Sequence, residues 1–408
     1  MAKITIQKKN RVNPFEELSA LLKMPGLEAA YPVRTLEPWR RFDPSKLIQP
    51  MTESLRQGMA VSRVTLADTV DSDLKSNLHS ASQWKNLDEL FLQKAKNNLK
   101  LFEKKEACEF FENLAVNSAG EEGLSILRIP KNKSFEEIPT VEISAPEAGK
   151  FHSGVFYLYA EESSKATINL VKKSGAFDVS IVYVYLEKNS EVYLRYLDEN
   201  NQPSQGVHFV KYFQEENSHS KSGIYSLCAS DNRKVFIENN LSQKAQAEYM
   251  GIFLGRRAHV DHDFSIVHNG NYSVSNLLFK MSVMDQSYGV FWGEADIVAG
   301  TQGCEAYQQN KNLILGNNSR IDAIPRLNIH TENVVAAHGS ATGEISEEEI
   351  FYMMSRGLGY AEARKLLLRG FFEDVLRRSF EHDDDKPDAL LEKIWTNIQT
   401  LLGVEIST

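Results

Sequence analysis

Apolar residues recur at helical spacing near both ends of this chain and at strand spacing between them. In residues 1–120, "NPFEELSALLKM" carries the stripe of a short amphipathic helix that Pro25-Gly26 would end. "YPVRTLEPWRRFDPSKL" is rich in proline and aromatics and reads as an irregular, docked strap. A longer helical pattern follows, with Leu87, Leu90 and Phe91 on one face and Ser82 or Asn86 as its cap.

From 121 to 337 the helical period disappears. Short alternating runs replace it, among them "ATINLV", "DVSIVYVYL", "GVHFVKYF", "AEYMGIFL", "VSNLLFKMSVM" and "LNIHTENVV". Turn formers separate them, as in "EKNSE", "DENNQP", "HNGN" and "GNNSR". A recurrence of about 10 to 12 residues suits a β-sandwich, a barrel or a solenoid. The length of the run, with no boundary inside it, favours the solenoid.

Residues 338–408 turn helical again. Ser346 and Glu349 have the spacing of a capping box, and Gly357 would end the short helix that follows. The next helix sets Leu367, Phe371 and Val375 beside Leu368, Phe372 and Leu376 in one broad apolar stripe. Such a stripe serves either the chain's own core or a partner. A last helix shows Leu391, Trp395, Ile398 and Leu402, after the acidic link Asp383-Asp384-Asp385.

Composition narrows the function classes. The 408 residues are 42% apolar and 25% charged, as in a globular protein, and the formal charge of −9 argues against nucleic acid or an anionic membrane as partner. No run approaches the about 20 apolar residues of a bilayer span. The opening "MAKITIQKKN" lacks a signal-peptide core, so the expected location is cytoplasmic. Three scattered cysteines, Cys108, Cys228 and Cys304, form no C-x-x-C pair and cannot by themselves hold a four-thiolate cluster.

Among candidate sites, His259, Asp261, His262 and His268 form the densest group of metal-ligand types. Strand alternation would place His259 and Asp261 on one face and His262 on the other, which favours structural contacts. Glu294 and Asp296 are a possible acid–base pair for a solenoid carbohydrate-active enzyme. There is no phosphate-loop signature and no nucleophile elbow. His338, at the seam between the strand zone and the helices, is suited to give one ligand to a metal shared with another subunit.

The stretch from Glu305 to Leu376 resembles the C-terminal half of the SufB/SufD family of iron–sulfur cluster assembly proteins. It carries Tyr307-Gln308-x-Asn310-x-Asn312-Leu313, Pro325-x-Leu327-x-Ile329, His338-Gly339, Phe351-Tyr352-x-x-Ser355-Arg356-Gly357 and Glu362-Ala363-Arg364 in order. Weaker similarity reaches back to Phe110. The His-Gly pair resembles the SufD branch more than SufB, although Ala336 stands where that branch usually has cysteine.

The resemblance implies a right-handed parallel β-helix core flanked by helical N-terminal and C-terminal regions. It implies a non-catalytic subunit that pairs with a SufB-like subunit through the β-helix end, with Ala336 and Gly339 at the interface turn. A SufC-like ATPase would dock on the C-terminal helices, with Tyr352, Arg356, Gly357, Phe371 and Phe372 as contacts. His338 would be an iron or cluster-proximal ligand shared with the partner. No cofactor would be held stably by this chain alone, only transient iron or an iron–sulfur cluster in the complex; an isolated homodimer is also possible. A SufB-type main scaffold is the alternative within the family.

Overall fold

The computed structural model describes residues 14–23, 31–32, 36–66, 75–80, 89–99, 108–119, 123–135, 138–145, 147–199, 203–316, 318–380 and 388–402. The expected cap at Ser82 or Asn86, Leu87, the Pro25-Gly26 stop and the acidic run Asp383–Asp385 lie outside them. Its centre is a parallel β-solenoid. Successive strands fall alternately into two sheets, of ten and nine strands among the described residues. One coil is therefore a strand in the first sheet, a turn, a strand in the second and another turn. A sandwich built of hairpins would pair antiparallel neighbours. Here every pairing is parallel from β4 (Leu124–Ile129) and β5 (Thr140–Ser144) onward.

Register explains why the sequence repeat is so faint. Phe151, Phe177, Gln205, Asn232, His259, Tyr288 and Arg320 occupy one column, one per coil. Such a column needs only compatible side chains, not identical ones. Where like residues do meet, they stack: Tyr159 on Tyr185 at 5.2 Å, Tyr185 on Phe213 at 5.4 Å, Phe209 on Phe236 at 5.1 Å. At one corner, Asn189 and Asn217 take positive φ in successive coils, and the Asn217 amide donates to Asn189 Oδ1 at 2.8 Å.

The interior is apolar along most of its length, lined by Leu158, Ile168, Val184, Leu194, Ile237, Phe264, Phe279 and their neighbours. Some strands are apolar on both faces because both faces are covered. Phe177–Leu186, "FDVSIVYVYL", is buried throughout. Its outer side lies under α4 (Glu109–Ala119) and the strap at 36–47, where Trp39 and Phe42 are fully buried. The strap reaches the far end of the rod, where Arg41 Nε meets Asp322 Oδ2 at 2.8 Å and Glu37 pairs with Arg326. It is docked as its composition suggested.

Three expected boundaries move. Residues 59–61, 63–66 and 78–80 of the N-terminal region are strands that join the two sheets. The run Phe151–Ala160, "FHSGVFYLYA", absent from the expected strands, is a central strand buried along its whole length. "LNIHTENVV" is not one strand but the end of β18 (Arg320–Ile329), a turn, and the start of β19 (Val334–Glu344).

The C-terminal helices are α5 (Glu347–Ser355), α6 (Tyr360–Phe380) and α7 (Ala389–Leu401). Leu368, Phe372, Val375 and Leu376 of α6, with Leu390, Ile394 and Ile398 of α7, close over Leu227, Ile252, Leu254 and Leu278 on the outer face of the nine-stranded sheet. The stripe read from the sequence thus turns inward. Phe372 is fully buried in this core, which corrects its assignment as a partner contact: its ring is already committed to the sheet.

Candidate functional site: the open end of the solenoid

The last coil consists of β18 and β19, each terminal in its sheet and each paired on one side only. His338 was expected at a turn, with Gly339 bending the chain. It lies instead in the middle of β19, which runs on to Glu344, so residues 338–344 belong to the solenoid and not to the helical region. Ala336 and Gly339 are likewise strand residues, and Gly339 has no positive φ. The composition "HGSATGE" reads as a turn, but in-register pairing with β17 (Cys304–Ile314) holds it extended.

Alternation along β19 decides which way each side chain looks. Ala336 packs against Ala295, Ile297, Cys304 and Ala306 inside the rod. Ser340 Oγ donates to Asn310 Oδ1 at 3.3 Å, and Thr342 Oγ1 accepts from Asn312 Nδ2 at 3.1 Å. His338 lies on this same inward face, stacked on Gln308. No coil follows, so it is exposed. The cross-section of the rod is therefore open here, with Ile321, Ala323 and Leu327 of β18 opposite. Gln308, which the sequence reading named only as part of a motif, spans this floor: its amide Nε2 donates to the Arg326 carbonyl at 3.3 Å.

The other ligand-type groups are committed elsewhere. His262 faces the interior, 2.9 Å from Ser226 Oγ and between Phe253 and Phe279. His268 bridges Ser273 and Ser275 at 2.8 Å each. His259 faces outward against Phe42 and Tyr288, and Asp261 meets Lys234 at 3.0 Å. Alternation separates this group as expected. Glu294 accepts from Asn328 at 2.6 Å, and Asp296 lies 3.5 Å from His330. Cys108, Cys228 and Cys304 are buried free thiols, and burial raises the pKa of Cys108 and Cys228 well above the ordinary value. Among the described residues, no three His, Cys, Asp or Glu side chains converge to hold a metal ion. No helix there is long and apolar enough to cross a membrane.

The second candidate face is helical. Tyr352, Arg356 and Gly357 are exposed, the Arg356 guanidinium donating to the Tyr352 hydroxyl at 3.0 Å. Phe371 is half-buried, its ring 4.8 Å from the Lys280 ammonium. Phe351, which the sequence reading named only as part of a motif, and Met354, Tyr360 and Leu366 also lie open. Phe351 is 74% exposed, unusual for an aromatic side chain. Ser346 Oγ caps α5 by accepting from Glu349 N–H at 3.2 Å.

The fold is a parallel β-solenoid whose coils end in an open, histidine-bearing edge, with helices folded back on one sheet. A family model described as SUF system FeS cluster assembly, SufBD core domain, matches residues 142–371. The chain belongs to this SufB/SufD family. It is 33% identical over 141 residues to an iron–sulfur cluster assembly SufBD family protein of Mycobacterium leprae, covering 32% of this chain and 36% of that one. It is 31% identical over 108 residues to the iron–sulfur cluster assembly protein SufD of Escherichia coli, 26% of each chain. A Galdieria sulphuraria SufBD family protein is 24% identical over 193 residues, 41% of this chain and 87% of that one. The chain thus spans about a third of the length of the first mycobacterial relatives it matches.

Proposed function

We propose that this chain is a SufD-like, non-catalytic subunit of a cytoplasmic iron–sulfur assembly complex. In this reading β18 and β19 receive the end of a SufB-like solenoid, and His338 supplies one imidazole to iron or to a nascent cluster at the junction. The carrying observation is the exposed inward-face imidazole on the unpaired terminal coil. An unpaired edge offers backbone donors and acceptors to another strand, and a lone imidazole suits a site whose remaining ligands come from a partner. The buried cysteines, with two thiols held protonated, favour this role over that of a SufB-type main scaffold. The engaged carboxylates Glu294 and Asp296 weigh against a carbohydrate-active enzyme.

The SufC-like ATPase would dock on the exposed face of α5 and the start of α6. Tyr352 and Arg356 remain in that surface, and Phe371 stands at its margin.

His338→Ala tests the central assignment. The variant should fold and bind its partners as the parent does, yet fail to support cluster delivery in a complementation assay. Normal delivery by the variant would refute the role.

A further inference from the structure

A groove of about 560 Å³ crosses the outer face of the nine-stranded sheet beside the last turn of α6. Its floor follows from register: Lys221, Glu248, Asn276, Tyr307 and Ala337 form one outward row, one residue per strand. Arg377 and Arg378 of α6 form a wall. Three cations therefore face one carboxylate, Glu248, which itself lies 3.9 Å from His219 Nε2.

Lys221 is only 8% exposed, yet among the described residues it closes no ion pair, not even with Glu248 opposite it in register; the Tyr193 ring lies 5.7 Å away. Arg377 and Arg378 likewise have no carboxylate partner there. One carboxylate, itself beside His219, is left to balance three cations, one of them nearly buried, and an anion in the groove would offset that excess. The volume falls within the range of small-molecule sites. A lysine point charge beside arginine forks suits phosphate oxygens.

We infer that this groove binds a small phosphate-bearing molecule. His338 and Gly339 border the same groove, but the inference rests on Lys221, Arg377 and Arg378, and its test leaves His338 unchanged.

The test is calorimetric titration of the full chain at low salt with pyrophosphate and, separately, with adenosine diphosphate. Saturable binding is expected. Equal affinity for the two probes would mean recognition of the phosphates alone; tighter nucleotide binding would mean that the base stacks on Tyr307. Arg378→Gln, an exposed change that leaves the core intact, should weaken binding about tenfold, the loss of one charge-assisted contact. Lys221→Met should weaken it further. No saturable binding of either probe overturns the proposal. So does equal affinity in the parent and Arg378→Gln, which would mean an adventitious ion only. Binding of hexaglutamate but of neither phosphate would also overturn it, in favour of an acidic segment.

Discussion

At the residue scale, burial governs protonation. Desolvation lowers the pKa of His262 to about 3 and those of His259 and His268 to about 4, while His152 and His219 shift in the same direction. Each stays neutral in the folded chain at a pH where the unfolded chain binds a proton. Stability should therefore fall as pH drops below about 6.5. Asp261 opposes this: burial outweighs Lys234 and lifts its carboxyl to about 6, so it favours folding as pH falls through that value. The histidines outnumber it. Urea denaturation between pH 7 and 5 should show declining stability, and His262→Phe should unfold with one fewer proton taken up at pH 5. A flat profile would mean that these rings are hydrated. Lys211 lies 2.7 Å from Glu112 and 3.0 Å from Glu238, all three buried. Lys211→Met strands two carboxylates and should cost about 3 to 5 kcal/mol by denaturant unfolding.

At the element scale, one amphipathic pattern served two purposes. The α6 stripe was legible, but not which of its neighbours would be covered. Leu368, Phe372 and Val375 meet the sheet; Phe351 and Tyr352 of α5 stay exposed, the Tyr352 hydroxyl touching Arg356 of its own turn. Phe351→Asp should therefore leave unfolding within about 0.5 kcal/mol of the parent, as surface changes do. In pull-downs it should reduce capture of the SufC-like ATPase, and undiminished capture would place that docking face elsewhere. β19 teaches the converse. Its glycines and small polar residues carry little strand preference of their own, so its extended form follows from the ladder with β17 and not from local sequence.

At the scale of the whole molecule, the rod has two unlike ends. One is closed by the N-terminal strands; the other leaves two edges free, and the strap at 36–47 ties the first region to the second through Arg41 and Asp322. An inward charge on an edge strand is a known way to prevent pairing. Ser340→Lys should abolish association with a SufB-like solenoid in sedimentation experiments while costing the isolated chain only about 1 kcal/mol, the loss of the Ser340–Asn310 hydrogen bond, because no coil covers that site. Association that survives the change would move the interface away from this end.

The order of local character along the chain, helical then strand-rich then helical, was set by side-chain periodicity, and periodicity is local enough to read directly. The separation of His259 and Asp261 from His262 follows from the same alternation. Tertiary structure decided the rest. Parallel register joins residues a full coil apart, so the stacking of strands, the floor made by Gln308 beneath His338 and the row that begins at Lys221 leave no mark in any short window. The exposure of His338 is the sharpest case: an inward-facing side chain is open to solvent only because the solenoid stops there, a property of the assembled rod and not of the residues around it.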